Sequence, residues 1–285
     1  MLEYVTIDHG FEVRYAHEVM RVEQWGRDSV RVRCAQHAIP SADAGALETP
    51  PGPRDCPPAS RDEQDGQAVH LVVGNLTVEA RLDAGDGKPA VMLRFLRTDD
   101  GRELLAEDRE HFWWPGSHVF YGQRSGLYEI HQRFRAYPGE RIFGLGQHTH
   151  GRLNHKGVVL DLVQRNAEVM IPFYLSSRGY GFLWNSPAVG RVELAENATR
   201  WVADAAPGLD YWVTAGPTPA DIMERYADAV GHSPVLPEWA TGFWQCKLRY
   251  LSQAELLDVA REYRRRGLPL SVIVTDFFHW TAMGD

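Results

Sequence analysis

Through roughly residue 235 the apolar positions alternate with polar ones, or gather into short runs broken by Gly, Asp and Asn. That is the period of strands, not of helices. The clearest runs are "SVRVRCA" (29–35), "AVHLVVG" (68–74), "NLTVEARL" (75–82) and "AVMLRFL" (90–96); "HVFYG", "YEIHQRF", "VVLDLV", "YGFLWNS" and "DYWVTAG" continue the pattern. Many short strands with frequent glycine turns predict a β-sandwich and argue against a doubly wound sheet. The proline-rich stretch 38–67 has little to bury. It reads as a long surface loop, expected to be the most mobile part of the chain.

A helical period first appears at 219–230. Thr218 is placed to cap this helix, Pro219 suits its first position, and Asp221 stands where the acid of a capping box belongs. Ile222, Tyr226 and Ala229 share one face, and Gly231 offers a stop. "HSPVLPEWA" (232–240) then reads as an extended linker. Beyond Thr241 the pattern predicts a strand–helix–strand unit. "TGFWQCKLRY" (241–250) is a strand running into a loop. Ser252 with Glu255 forms a capping box for a helix reaching Arg266, with Leu256, Leu257, Ala260 and Tyr263 as its buried stripe. Gly267 fits the left-handed position after a helix and Pro269 blocks continuation. "LSVIVT" (270–275) reads as a parallel strand covered on both faces, joined by a right-handed crossover. One such unit leaves an open sheet edge, so the chain is expected to be the front part of a longer protein.

Composition changes this picture little. Of the 285 residues 44% are hydrophobic and 24% charged, ordinary values for a folded chain. The formal net charge of −8 gives no general attraction to nucleic acid or to an anionic membrane, so neither is expected as a partner. Cys34, Cys56 and Cys246 are too widely spaced for a disulfide framework or a zinc pattern, and read as reduced thiols. The opening "MLEYVTIDHG" has neither the basic nor the apolar region of a secretory signal, which leads to a cytoplasmic expectation.

Several segments, in this order and at these spacings, resemble the amino-terminal portion of family 31 glycoside hydrolases, the group of α-glucosidases and α-xylosidases. They are "VMRVEQWGRDSVRVR" (19–33), "RIFGLGQHT" (141–149), "NAEVMIPFYLSSRGYGFLWNSP" (166–187), "LDYWVTAGPTPADIMERYADAVGHSPVLPEWATGFWQCK" (209–247) and "LPLSVIVTDFF" (268–278). The resemblance implies a mainly β fold. A galactose-mutarotase-like β-sandwich, residues 1–235, would be followed by the first two strands of a truncated (β/α)8 TIM barrel in residues 236–285. It also implies retaining hydrolysis through a covalent glycosyl-aspartate. The nucleophile and the acid/base aspartate would stand at the ends of barrel strands four and six, beyond residue 285. Retaining chemistry needs two carboxylates about 5–5.5 Å apart. None of the 38 acidic residues here matches a family catalytic motif, so the chain as given is expected to carry no catalytic residue and to be inactive alone.

For substrate binding the resemblance puts Asp276 first, at the C-terminal end of the second barrel strand, where such folds place their chemistry and where a carboxylate can accept hydrogen bonds from sugar hydroxyls. Phe277 and Phe278 would wall the pocket against the C–H faces of the sugar, with His279 and Trp280 behind them. The pair is closer to α-xylosidases than to α-glucosidases, and its bulk would favour a sugar lacking the hydroxymethyl group. Trp244, Gln245, Lys247 and Arg249 are expected at the end of strand one or in the loop after it, Lys247 reaching an anionic or branched sugar or serving as a salt-bridged loop base. Gly144 and Gly146 permit a tight backbone in a sandwich segment approaching the site. Gln164, Arg165 and Asn166 are loop candidates, and Asn185 reads as the organiser of a strand turn. His148, His150 and His155 invite a metal reading, but no acid or Cys has matching spacing, so neither metal nor cofactor is expected. The partner implied is an α-linked oligosaccharide or glycoside, and homo-oligomerisation of the longer protein stays open. A carbohydrate-binding sandwich without catalysis, a sandwich epimerase or mutarotase, and a transglycosylase or lyase on the same fold are the alternatives.

Overall fold

The computed structural model of this chain describes residues 2–41, 45–48, 57–61, 67–85, 88–109, 116–276, 279 and 282. They divide into two compact units, Met1–His232 and Ser233–Asp285. In the first, a larger antiparallel sheet runs in the spatial order Tyr4–Ile7, Gly10–Tyr15, Glu18–Gln24, Ser29–Gln36, Leu209–Ala215, Tyr180–Trp184, Val169–Ser176, Ile142–Gln147. One five-stranded sheet is ordered His118–Gly122, Tyr128–Phe134, Thr199–Ala206, Gly190–Leu194, Val159–Leu162. Another is ordered Ser60–Arg61, Ala68–Val73, Leu76–Asp83, Ala90–Arg97, Glu103–Ala106. The chain is therefore mainly β, as its alternation predicts, and one cluster of buried residues draws on all three sheets.

The centre of that cluster is aromatic. Phe182 of the large sheet stacks on Trp201 of the facing sheet with ring centroids 5.1 Å apart, and meets Tyr174, Tyr211 and Phe134 at 5.5, 5.3 and 5.2 Å. Trp184 lies on Trp201 at 5.6 Å. Successive side chains of Tyr180–Trp184 face opposite sides of the sheet because the strand period is two, so Tyr180, Phe182 and Trp184 share the sandwich core and Leu183 packs in the cluster on the other face. Such pairs add about 0.5–1.5 kcal/mol each beyond the area they bury.

The helix Pro219–Val230, α1, has the predicted cap. Thr218 Oγ1 accepts from the Asp221 amide, and the Asp221 carboxylate accepts from the Thr218 amide. Ile222 and Ala229 are buried, while Tyr226 stacks on Phe173 with centroids 3.9 Å apart. The sequence pattern gave no sign of Arg225, which is buried too. Its Nη2 donates to Asp28 Oδ2 at 2.5 Å, both side chains being 6% exposed. Asp28 lies at a positive φ of 52° and also accepts the Asn75 amide, so one carboxylate joins two turns to α1.

Two expectations for the first unit need correcting. The stretch 38–67 does bury residues: Leu47 packs in the cluster against α1, Ala59 is in the main core, and Ser60–Arg61 pairs with Val69 and His70. Asn185 is the reason for part of this. Its Oδ1 accepts the Ala46 and Leu47 amides and its Nδ2 donates to Asp210, which is ion-paired with Arg31. Asn185 therefore pins a distant loop and does not organise a local turn. Gly45 is required there, since a Cβ would stand 1.9 Å from Asn185 Oδ1.

In the second unit Trp244–Cys246 pairs in parallel with Val272–Val274 across the helix Gln253–Arg265, α2. Both strands are shorter than predicted, because Glu238–Thr241 closes into a 3-10 turn and Ser271 is already outside the ladder. Val272, Ile273 and Val274 are half-buried and not fully covered. Ser252 caps α2, but Glu255 completes no capping box; its carboxylate takes the Leu251 amide and Lys247 instead. On the stripe Leu257 is 38% exposed, and Val259 is half-buried where it was not expected. Gly267, at φ 64°, ends the helix with bonds from the Gly267 amide to Arg264 and from the Leu268 amide to Tyr263, the pairing of a Schellman stop. Among the described residues no helix is long and apolar enough to cross a membrane.

Removing one partner of a buried ion pair strands the other charge, so Arg225→Ala and Asp28→Ala should each cost about 3–5 kcal/mol in urea unfolding followed by tryptophan fluorescence; a loss under about 1 kcal/mol would remove this pair from the account of stability. Phe182→Ala, which empties the aromatic centre, should cost about 3–5 kcal/mol in the same measurement, with a smaller loss showing that the layer collapses to fill the space.

Candidate functional site

Parallel pairing brings the ends of the two barrel-like strands to one side. Cys246 is opposite Val274, so the residues after each leave the ladder together. Asp276 follows Val274 by two positions and is half-buried. Cys246 Sγ donates to Asp276 Oδ2 at 3.4 Å. Desolvation, and then the hydrogen bond to Asp276 and its negative charge, push the Cys246 thiol above its ordinary value. The thiol is the donor and Asp276 Oδ2 the acceptor, the role that a sugar hydroxyl would also call on. An ionised carboxylate has about four acceptor positions, more than one thiol occupies. The Asp276 carbonyl accepts from His279 Nδ1 at 2.7 Å, which fixes the proton of that ring on Nδ1. Phe277, Phe278 and Trp280 lie outside the described residues.

The other predicted residues separate. Trp244 opens its strand and does not end it, because the turn Glu238–Thr241 delays the ladder. Its indole donates to the Ala240 carbonyl at 3.1 Å and its ring stacks on Trp239, so it faces the entry to the strand, away from the Asp276 end. Lys247 does follow the strand end, but its Nζ is 2.5 Å from Glu255 Oε1 and 5.7 Å from the Tyr250 ring centroid. Hydrogen bonds from Lys247 and from the Leu251 amide hold Glu255 below the usual carboxylate value. Gln245 turns to α2, where its Oε1 accepts from Tyr263 OH at 2.6 Å. Cys246 was missed as a neighbour of Asp276; its sequence signal is its place within the predicted first strand.

The sandwich candidates have local roles. Gly144 and Gly146 take φ of 114° and 92° at a bulge, where added Cβ atoms would stand 2.8 Å from the Phe173 carbonyl and 1.9 Å from that of Val169. Gln164 bonds both backbone groups of Met170 and closes the loop between them. Arg165 pairs with Asp161, and Asn166 is exposed. The histidines do come together, with ring centroids 5.2–5.8 Å apart. Two of them spend a ring nitrogen on backbone, His148 Nε2 on the Leu145 carbonyl and His150 Nδ1 on the Arg152 amide. Burial, then His150 and His148, hold His155 below the ordinary imidazole value, so it stays neutral.

Known proteins are similar to this chain in sequence and fold. The model of the glycosyl hydrolase 31 N-terminal galactose mutarotase-like domain matches residues 20–193, and that of the family 31 TIM-barrel domain matches residues 233–285. A curated relative, the uncharacterized family 31 glucosidase ORF2 of Pseudescherichia vulneris, is 36% identical over 100% of this chain and 55% of its own length. Alpha-xylosidase A of Aspergillus niger is 29% identical over 97% of this chain and 39% of its own. A solved family 31 α-xylosidase from a soil metagenome, complexed with xylose, superposes with a TM-score of 0.88 at 38% identity, over 99% of this chain and 42% of that one. The chain thus spans about half or less of the length of these relatives. It belongs to glycoside hydrolase family 31, carrying the galactose-mutarotase-like sandwich and the beginning of the TIM-barrel domain of that family.

Proposed function

We propose that these residues are the amino-terminal part of a retaining, exo-acting α-glycoside hydrolase whose substrates are α-xylosides. The observation that carries this reading is Asp276: an acceptor carboxylate just past a parallel strand, in the segment matching the family's barrel domain. In this reading Asp276 binds hydroxyls of the nonreducing sugar, and Phe277 and Phe278 crowd the space a hydroxymethyl group would fill. The α-xylosidases among the relatives support the choice of sugar. In this reading the nucleophile and acid/base come from later barrel strands, outside the 285 residues. Trp244 and Lys247 act at a distance in this scheme, through the strand entry and the Glu255 pair, and Lys247 meets substrate only if that pair opens. A cytoplasmic location fits the free thiols of Cys34 and Cys246.

Three assays test the proposal. In the full-length hydrolase, Asp276→Ala should lower kcat/KM by roughly 100-fold or more through loss of charge-assisted bonds, and near-parent activity would reject the role. Aryl α-xyloside should turn over faster than aryl α-glucoside, with a strong glucoside preference assigning the activity to the other sugar. The 285-residue chain alone should show no turnover above background of either substrate, and measurable hydrolysis would place catalytic carboxylates within it.

A further inference from the structure

Far along the sequence from the residues just discussed, three side chains of ligating type converge inside the sandwich. Glu18 opens the strand Glu18–Gln24 and Cys34 lies in the neighbouring strand Ser29–Gln36. The register pairs Glu18 with Gln36 and Met20 with Cys34, so Glu18 and Cys34 are diagonal neighbours on one face of the sheet. His118 opens a strand of a different sheet. Its Nε2 is 3.0 Å from Glu18 Oε2 and 3.5 Å from Cys34 Sγ. The three ligand atoms all lie within 4.8 Å of one another. Cys34 is fully buried and His118 is 7% exposed, while a cavity of about 270 Å³ adjoins the group, lined also by His17, Gln36 and Val91.

Beside its 3.0 Å contact with Glu18, His118 Nε2 also faces the Cys34 sulfur, so the one hydrogen-bonding direction of that nitrogen is shared between two groups. This geometry suits a shared cation. Tetrahedral zinc with bonds of about 2.0–2.3 Å sets N···S edges near 3.5 Å, the separation of His118 Nε2 and Cys34 Sγ. The other ring nitrogen, His118 Nδ1, is 3.2 Å from Ser117 Oγ, and the His118 ring packs edge-on to Phe120 with centroids 5.5 Å apart. An oriented imidazole with its second nitrogen held by a polar neighbour is the usual support of a metal ligand. Charge also balances: one thiolate, one carboxylate and one neutral imidazole cancel a divalent ion, which matters where burial makes net charge costly.

We propose that Glu18, Cys34 and His118 form a three-ligand site for a divalent cation of the zinc class, with its fourth position open to the adjoining cavity. Binding forms a metal–sulfur bond and releases to solvent the proton of the Cys34 thiol, together with the Nε2 proton where His118 is charged. No oxidant or reductant is involved. The site is independent of the glycoside reading, and its test uses no sugar.

The 285-residue chain, dialysed against a chelator, is titrated with cobalt(II) as a spectroscopic stand-in for zinc. The expected result is one equivalent bound, with tetrahedral d–d absorption and a thiolate-to-cobalt charge-transfer band, both discharged by added zinc. Cys34→Ser should abolish the charge-transfer band, whereas Cys56→Ser and Cys246→Ser should keep it. Glu18→Gln changes a side chain that is 36% exposed, so it tests the site even where Cys34→Ser folds poorly; it should weaken cobalt binding about tenfold or more. Ser117→Ala should weaken it roughly 10–100-fold through the ring orientation. Absence of the charge-transfer band, its persistence in Cys34→Ser, or parent affinity in Glu18→Gln would each overturn the proposal and leave a hydrogen-bonded cluster without a metal role.

Discussion

The aromatic contact between facing sheets is the constraint from which most of the sandwich follows. Phe182 and Trp201 stack across the gap, and Tyr174, Tyr211, Phe134 and Trp184 fill the space around them. Planar rings of this size leave little freedom in how the sheets approach, because interiors pack as densely as organic crystals. They also fix register. A one-residue slip of Tyr180–Trp184 against Leu209–Ala215 would turn Phe182 and Trp184 out of the core. The pairing of Ser29–Gln36 with Leu209–Ala215 joins distant parts of the chain in the same sheet, so the layer closes the fold as well as filling it.

Charged residues inside the sandwich sit at its joints. Arg31 with Asp210 and Asn185 holds the loop at Ala46 and Leu47, and Asp28 with Arg225 holds α1 against two turns. Glu107, buried, accepts from Tyr211 OH, Gln132 Nε2 and the Leu93 amide, and burial raises its pKa despite these donors. Buried pairs of this kind contribute little net stability over apolar residues of the same shape. Their effect is directional. Each demands one partner in one place, which an apolar contact does not. In the second unit ion pairs such as Lys247–Glu255 and Arg265–Glu262 are exposed, and their individual contributions are small.

The sequence by itself determined the elements whose cause is local. The two-residue period marked the strands, Thr218 and Asp221 capped α1, and Gly267 ended α2 in the left-handed conformation. It also carried the family, because ordered segments along one chain are a linear property. Among the candidate residues it put Asp276 just beyond a strand end, since strand ends are set by local pattern. It misjudged Trp244, whose strand begins late because a 3-10 turn takes up Glu238–Thr241, and that turn has no strong signature.

Only the tertiary structure decided which distant polar groups meet. Nothing in the spacing of Arg225 announces Asp28, and a proline-rich segment gives no hint that Leu47 is buried or that Asn185 holds it. The same is true of Glu18, Cys34 and His118, which look like an isolated acid, thiol and imidazole until two sheets are laid face to face. The physical reason is range. Helix caps and strand periods act over a few residues, whereas a hydrogen bond or a coordination shell depends on distance and direction in space, and both are fixed by how the sheets pack.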